Sequence, residues 1–352
     1  MGNRIGSVTD TASRPRGGSA TLHDVAREAG VSLATASRVL NGSARKVAES
    51  YRERVEAAAA TLGYSANLSA QATARGTSAI IALLVADIAD PFFGEIASGV
   101  ARGADEANLV VNIAITERDA DREVTLVRAL RGQRPRGVIL AASRTSAVMD
   151  DALRKELDLI EQSGGRVVAL GSGADGFREI SVDNHGGARS LGAALAAHGY
   201  RSAVALVAGE GVVTSDNRLA GFTEGFTDAG GQAPRVYRGA FTRDSGEALM
   251  NQALADGVEP GTVVWGLSDV VAIGAMAAIR AAGREPGADI AVAGFDDIPT
   301  GRDVTPALTT VRVPLRDLGY QALHATVDAA WDADAAPLPL EVLLRDSTPK
   351  RG

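Results

Sequence analysis

The sequence predicts a small all-α unit at the front of the chain and, behind it, an α/β body built from doubly wound parallel sheets. Three observations carry this reading. From Ile80 onward, short apolar runs of strand length alternate with stretches of helical periodicity, the pattern of buried parallel strands joined by helices. That alternating stretch is about 270 residues long, near the length at which one core divides into two. Before it, between Thr21 and Tyr64, apolar residues recur only at helical spacing.

The chain has 352 residues, room for two or three domains. Hydrophobic residues at 45% and charged residues at 22% are ordinary globular values. There is no cysteine, which excludes a disulfide scaffold, thiolate metal sites and a cysteine nucleophile, and fits a reducing compartment. Apolar runs such as 80–86 fall short of the ~18 residues a membrane span needs. The first residues hold charges and no apolar stretch, so no signal peptide is expected. Net charge is -7 but unevenly placed. Residues 1–78 carry ten Lys/Arg and six Asp/Glu; the remaining 274 carry 26 and 37. A polyanionic partner would therefore meet the front.

Residues 1–19 are poor in apolar side chains and read as a disordered tail. Thr21, followed three residues later by Asp24, resembles a capping box for a helix whose apolar face is Leu22, Val25, Ala26 and Ala29. Gly30 ends it. Ser32 can cap a second helix over 33–40, with Ala36, Val39 and Leu40 facing inward. Two short helices joined by such a turn form a helix-turn-helix, and a third over 48–62 closes the core with Val55, Ala59 and Leu62. Helical spacing alone would equally suit an adaptor without a ligand. The polar equipment of the second helix decides for DNA: Thr35, Ser37, Arg38 and Asn41 project from it, with Arg45 and Lys46 next. Arginine suits a bidentate contact to guanine, and Ser, Thr and Asn suit phosphates or base edges. Residues 66–78 are small and polar, a linker able to become helical.

In the body, strands are expected at 80–85, 110–115, 137–141, 167–170, 203–207, 263–265 and 290–293. Helices are expected at 92–107, 121–131, 151–162, 187–198, 219–229, 245–256 and 270–282. Ligands of such folds sit beyond the carboxyl ends of the strands, and several polar groups fall there. Asp90, Phe92 and Phe93 follow the first strand; the rings can be core, or can stack on the C–H face of a sugar while Asp90 accepts hydroxyl hydrogens. Arg218, in Asn217-Arg218-x-x-Gly221-Phe222, opens a helix. Ser268-Asp269 and Gly294-Phe295-Asp296-Asp297 follow two later strands. Each aspartate alone reads as a helix cap; together they read as a polar site.

Catalytic patterns are lacking. Residues 171–176 fit GxGxxG, but no helix follows and Asp183 comes too soon for a ribose-binding acid, so the segment reads as a loop. The four histidines show no HExxH spacing, and there is no GxSxG. No enzyme activity, cofactor or metal is expected.

The run Thr21-Leu22-x-Asp24-Val25-Ala26-x-x-Ala29-Gly30-Val31-Ser32-x-x-Thr35-x-Ser37-Arg38-Val39-Leu40-Asn41 resembles the headpiece of the lac-repressor (LacI) family of bacterial transcription regulators. The resemblance extends through Leu62-Gly63-Tyr64 and the body, over about residues 20–345. It implies a homodimer, or a tetramer, reading a palindromic operator in double-stranded DNA, in the bacterial cytoplasm at the nucleoid. DNA contacts are implied for Thr21, Ser32, Leu33, Ala34, Thr35, Ser37, Arg38, Asn41, Tyr64, Asn67, Ala70 and Thr73. Leu33 and Ala34 fall at the main base-reading positions, where apolar side chains suit thymine methyls. Thr73 falls where the family wedges a leucine into the minor groove, a departure. The body resembles the periplasmic binding proteins: a headpiece (20–65), a hinge (66–78) and two lobes (79–182 with 313–341, and 183–312 with 342–352), crossed near Asp183, Arg312 and Leu340. That resemblance implies a small-molecule effector, a carbohydrate, held by Asp90, Phe92, Phe93, Arg218, Phe241, Asp269, Asp296 and Arg312. Gly171-Ser172, Ser268 and Arg312 depart from the sugar-binding pattern. Release by a sugar is the favoured mode; corepression by a non-sugar metabolite, and a transport-type solute-binding protein, are the alternatives.

Overall fold

The computed structural model describes residues 20–40, 47–64, 77–142, 149–171, 176–331 and 338–351. The tail, Asn41, Arg45, Lys46, Asn67, Ala70, Thr73 and Ser172 lie outside the described residues. The chain divides into two compact units, residues 1–71 and 72–352.

In the first unit, α1 (Leu22–Glu28), α2 (Leu33–Leu40) and α3 (Glu49–Leu62) surround a core of Val25, Ala26, Ala29, Ala36, Val55, Ala58 and Ala59. Small residues let three short helices approach closely. The capping box forms: Thr21 Oγ1 accepts from Asp24 N at 3.3 Å, and the Asp24 carboxylate accepts from Thr21 N at 3.0 Å. Gly30, at φ +60°, makes the turn into α2. From α3, the Arg54 guanidinium donates to the carbonyls of Ala29 and Gly30 and so fixes that turn.

The second unit holds two parallel sheets. Strands β1 (Ile80–Val85), β2 (Val110–Ile115), β3 (Gly137–Leu140), β4 (Arg166–Leu170) and β5 (Arg178–Ile180) form a five-stranded sheet of order β2-β1-β3-β4-β5. Strands β6 (Ala203–Ala208), β7 (Arg235–Gly239), β8 (Val263–Gly266) and β9 (Ala291–Ala293) form a four-stranded sheet of order β7-β6-β8-β9. Their central strands are buried on both faces, as continuous apolar runs require. Helices α4 (Pro91–Glu106), α5 (Ala120–Arg131) and α6 (Asp151–Gln162) follow strands of the first sheet. Helices α7 (Asn184–Ala197), α8 (Val213–Asp228), α9 (Arg243–Ala255) and α10 (Asp269–Ala281) belong with the second, and a short α11 (Thr300–Asp303) follows.

Beyond the second sheet the chain runs through β10 (Thr310–Arg312), α12 (Leu315–Val327) and β11 (Glu341–Leu343). Strands β10 and β11 pair antiparallel, Arg312 opposite Glu341. Helix α12 returns to the first sheet and packs on α4 so closely that a Cβ at Gly99 would sit 1.9 Å from the Arg316 carbonyl oxygen. Helices α7 and α8 meet in the same way at Gly225, against the Arg189 carbonyl. Against the second sheet, Trp265 stacks on Phe222, centroids 4.4 Å apart.

The structure departs from the sequence reading in identifiable places. Helix α8 begins at Val213, so Arg218 lies in its second turn rather than at its start; Gly211 turns the chain early, and its N–H donates to Asp216 at 2.9 Å. Strands β7, β10 and β11 and helix α12 had no counterpart in the expected elements. Strand β7, an edge strand with four of five residues exposed, lacks an apolar run.

Candidate functional site

Between the strand ends of the two sheets lies a cleft, the place where ligands of such folds bind. Its apolar lining includes Phe92, Phe93, Phe241, Leu170 and Val182; its polar lining is Asp90, Arg118, Asn184, Thr214, Arg218, Ser268 and Asp296. Phe92 and Phe93 meet edge to face, 5.0 Å apart. Asp90 caps α4: its Oδ1 accepts from Phe92 N at 3.0 Å, with Pro91 in the first helical position. Cap and cleft wall are therefore one residue. Burial raises its carboxyl above the ordinary range, against the Phe92 N–H and the Arg118 charge.

Arg218 is buried and fixed on every side. Its Nε donates to Asn184 Oδ1 at 2.8 Å, its Nη1 to the Leu267 carbonyl at 2.8 Å, and its Nη2 to Asp296 Oδ1 at 2.9 Å. Its plane lies 3.8 Å from the Phe295 ring centroid. Asp296 adopts φ +112°, a region an L side chain rarely enters. Burial pushes its carboxyl up to about 6, with Arg218 pulling the other way. The Ser268 hydroxyl is buried at the cleft wall and has no hydrogen-bond partner among the described residues.

Six of the eight residues expected at the effector site line this cleft: Asp90, Phe92, Phe93, Arg218, Phe241 and Asp296. Asp269 and Arg312 do not. The Asp269 carboxylate is enclosed, accepting from Ile298 N at 2.9 Å and from Thr310 Oγ1 at 2.6 Å, so it pins the 294–298 loop from behind. Burial and the adjacent Asp296 hold it well above the ordinary range. Arg312 turns away to Asp297 at 2.9 Å and Glu341 at 2.7 Å. The sequence reading missed Arg118, Asn184 and Thr214 as cleft residues, and noted Ser268 only as a departure. Arg118 stands just past β2, and strand-end position was the signal that could have found it.

In the front unit, α2 exposes Leu33, Ala34 and Arg38, while Thr35 and Ser37 are half-buried. Leu33 stands outside that core and is 38% exposed. Ser32 Oγ accepts from Thr35 N at 3.1 Å and sits 2.8 Å from Thr35 Oγ1, so both hydroxyls help begin the helix. Thr21 is engaged in its capping box, and Tyr64 packs on the core. An exposed strip of Leu33, Ala34 and Arg38 on a short helix clasped by two others has the shape that enters a major groove.

Comparison with known proteins decides the family. The profile described as "Bacterial regulatory proteins, lacI family" matches residues 21–67, and that described as "Periplasmic binding protein-like domain" matches residues 193–348. The HTH-type transcriptional regulator GalS of Salmonella typhimurium is 32% identical over 314 residues, 88% of this chain and 90% of that protein. The chain belongs to the LacI family. It is a DNA-binding transcriptional regulator with a helix-turn-helix front and a periplasmic-binding-like body. Among solved structures, the lac repressor dimer bound to operator and the anti-inducer ONPF is 29% identical, with a TM-score of 0.77 over 94% of this chain and 99% of that one. A complex of the regulator CelR with cellobiose is 30% identical, with a TM-score of 0.65 over 93% and 99%. Among the described residues no helix is long and apolar enough to cross a membrane, and no cluster of three or more candidate metal ligands occurs.

Proposed function

We propose that this LacI-family regulator is a repressor of a catabolic operon whose grip on a palindromic operator is released when a small polyhydroxylated effector fills the cleft. The cleft chemistry carries the reading. Aromatic rings from both sides face carboxylates that each keep one oxygen unbound, Asp90 Oδ2 and Asp296 Oδ2, among the described residues. Rings cover the C–H faces of a polyol, and fixed carboxylates accept its hydroxyl hydrogens. Relatives include a regulator solved with cellobiose, which supports a carbohydrate-like effector.

Leu33, Ala34 and Arg38 read base edges, with Thr35 and Ser37 beside them; Asn41, Asn67, Ala70 and Thr73 extend the interface. The active form is a homodimer. Val110 and Ile113, 52% and 45% exposed, lie on the edge strand β2 and support pairing there. Lobes 79–182 with 313–341 and 183–312 with 342–352 close on the effector and shift two headpieces set about 34 Å apart, one turn of DNA. A coupling of about 1–3 kcal/mol suffices for the switch. The protein acts in the bacterial cytoplasm at the nucleoid and catalyses no reaction.

Selection of binding sites from random duplexes, followed by anisotropy titration with a polyol panel, tests this. The expected result is a palindromic consensus and weakened binding with one class of polyol. Failure to prefer any palindrome over bulk DNA, with or without the panel, overturns it.

A further inference from the structure

We propose that the effector is an acidic polyol, a sugar bearing one carboxylate, with Arg118 receiving the carboxylate and Asp90 and Asp296 the hydroxyls. This rests on the reading of the cleft as the effector site and names the chemical class it takes.

The two arginines of the cleft are of unequal standing. Arg218 has partners for Nε, Nη1 and Nη2, and its charge is matched by Asp296. It orders the wall. Arg118 lines the same cleft yet donates no hydrogen bond to any described residue. Its guanidinium rests 5.1 Å from the Phe241 ring centroid, a face that holds it in place without using its N–H groups.

The backbone aims it there. Thr116 N donates to the Val85 carbonyl at 2.8 Å and Glu117 N to the Ala86 carbonyl at 3.0 Å, which fastens the loop to the end of β1. Glu117 and Arg118 then both take left-handed conformations, φ +56° and +57°. Two such residues in succession are strained for L side chains, and the bend they make swings Arg118 over the cleft. Burial works against its charge there, opposed by the Asp90 and Asp87 carboxylates. Arg118 is nonetheless exposed, so its unused donors face the open side of the cleft and are available to a ligand that brings its own acceptors.

The charge balance selects the class. Asp90, Asp87 and Asp296 already stand near the cavity, so a dianionic phosphate would meet several carboxylates and a single free cation among the described residues. One planar carboxylate matches the guanidinium fork with two parallel hydrogen bonds. The unbound oxygens of Asp90 and Asp296 and the unpartnered Ser268 hydroxyl remain for the ligand's hydroxyl groups.

Titration calorimetry on the full chain tests the assignment. The probes are gluconate, galactonate, glucuronate and galacturonate, their parent aldoses, and glucose 6-phosphate. The expected result is that one acid binds at least about tenfold more tightly than its parent aldose and weakens operator binding. Arg118→Gln is expected to bring that ratio close to one, and Arg118→Lys to keep part of it, since a point charge replaces the fork. An aldose or the phosphate ester binding as tightly as the acids, or an acid preference that survives Arg118→Gln, overturns the assignment and leaves the polyol cleft standing. A chain that binds none of the probes overturns both.

Discussion

Replacing Asp296 by asparagine should flatten the dependence of stability on pH between about 5 and 7. In the folded protein the Asp296 carboxyl is pushed up to about 6 from an ordinary value of 3.8. A carboxyl raised on folding binds its proton more tightly in the native state. Its contribution to stability is therefore fully present below the unfolded value and is lost as pH rises through the folded one. Between pH 5 and 7 that loss is roughly 1 kcal/mol, most of it before pH 6. The asparagine side chain would not titrate, and its Oδ1 can still accept from Arg218 Nη2, so the local geometry survives. Asp269, raised in part by the Asp296 charge, ionises more easily once that charge is gone, which flattens the curve in the same direction. Urea unfolding followed by circular dichroism at pH 5, 6 and 7 measures the effect. The wild type should lose stability relative to Asp296→Asn as pH rises, by about the stated amount. A difference that stays constant with pH, or grows in favour of the wild type, would show that Asp296 is not held in its protonated range and refute the reasoning.

Asp297→Asn should act in the opposite sense: burial alone would raise this carboxyl, but hydrogen bonds from Arg345 and Arg312 hold it below the ordinary range. Removing it should lower stability by about 3 kcal/mol at neutral pH, the loss shrinking as pH falls into the acid range, which thermal melts across pH would record. Arg38→Ala should weaken operator binding by about 1–3 kcal/mol in anisotropy titrations, while an equal loss on random DNA would make Arg38 a phosphate contact only. Thr73→Leu should tighten operator binding by restoring an apolar wedge in the minor groove; unchanged or weaker binding would count against that register.

Most of the body was legible because its strands are buried on both faces. Ile80–Val85 and Ala203–Ala208 are uninterrupted apolar runs, and the segments between them carry helical spacing. The front unit was legible for a different reason: Thr21, Asp24, Gly30 and Ser32 each perform a local backbone task that only a few residue types can perform. What escaped was set by distant partners. Strand β10 is three residues long and exists because β11, some thirty residues away, pairs with it. Strand β7 lies at an edge where solvent replaces the apolar signal. Helix α12 is fixed against α4 by backbone contact at Gly99, a juxtaposition no local pattern announces.

The cleft was legible to the same depth and no further. A rule about strand ends names which loops face a ligand, and the loops it names bring Asp90, Arg218 and Asp296 to one cavity. It does not say which way a side chain turns once the loop is built. In Asp296-Asp297 two identical side chains stand next to each other, both on left-handed backbone. The first faces the cleft and takes Arg218; the second faces the crossing strands and takes Arg312, Arg345 and Arg302. Arg312 is the partner of the second acid, and that is why it stands away from the cleft where the sequence reading expected it. Asp269 departs for a related reason, since Thr310 and the Ile298 backbone claim its carboxylate from behind the wall. Arg118 is the converse case: no described carboxylate or carbonyl claims its hydrogen bonds, so its side chain remains available to the cleft. Counting acids and bases along the chain cannot separate these fates, because each is decided by which opposite charge the fold delivers first.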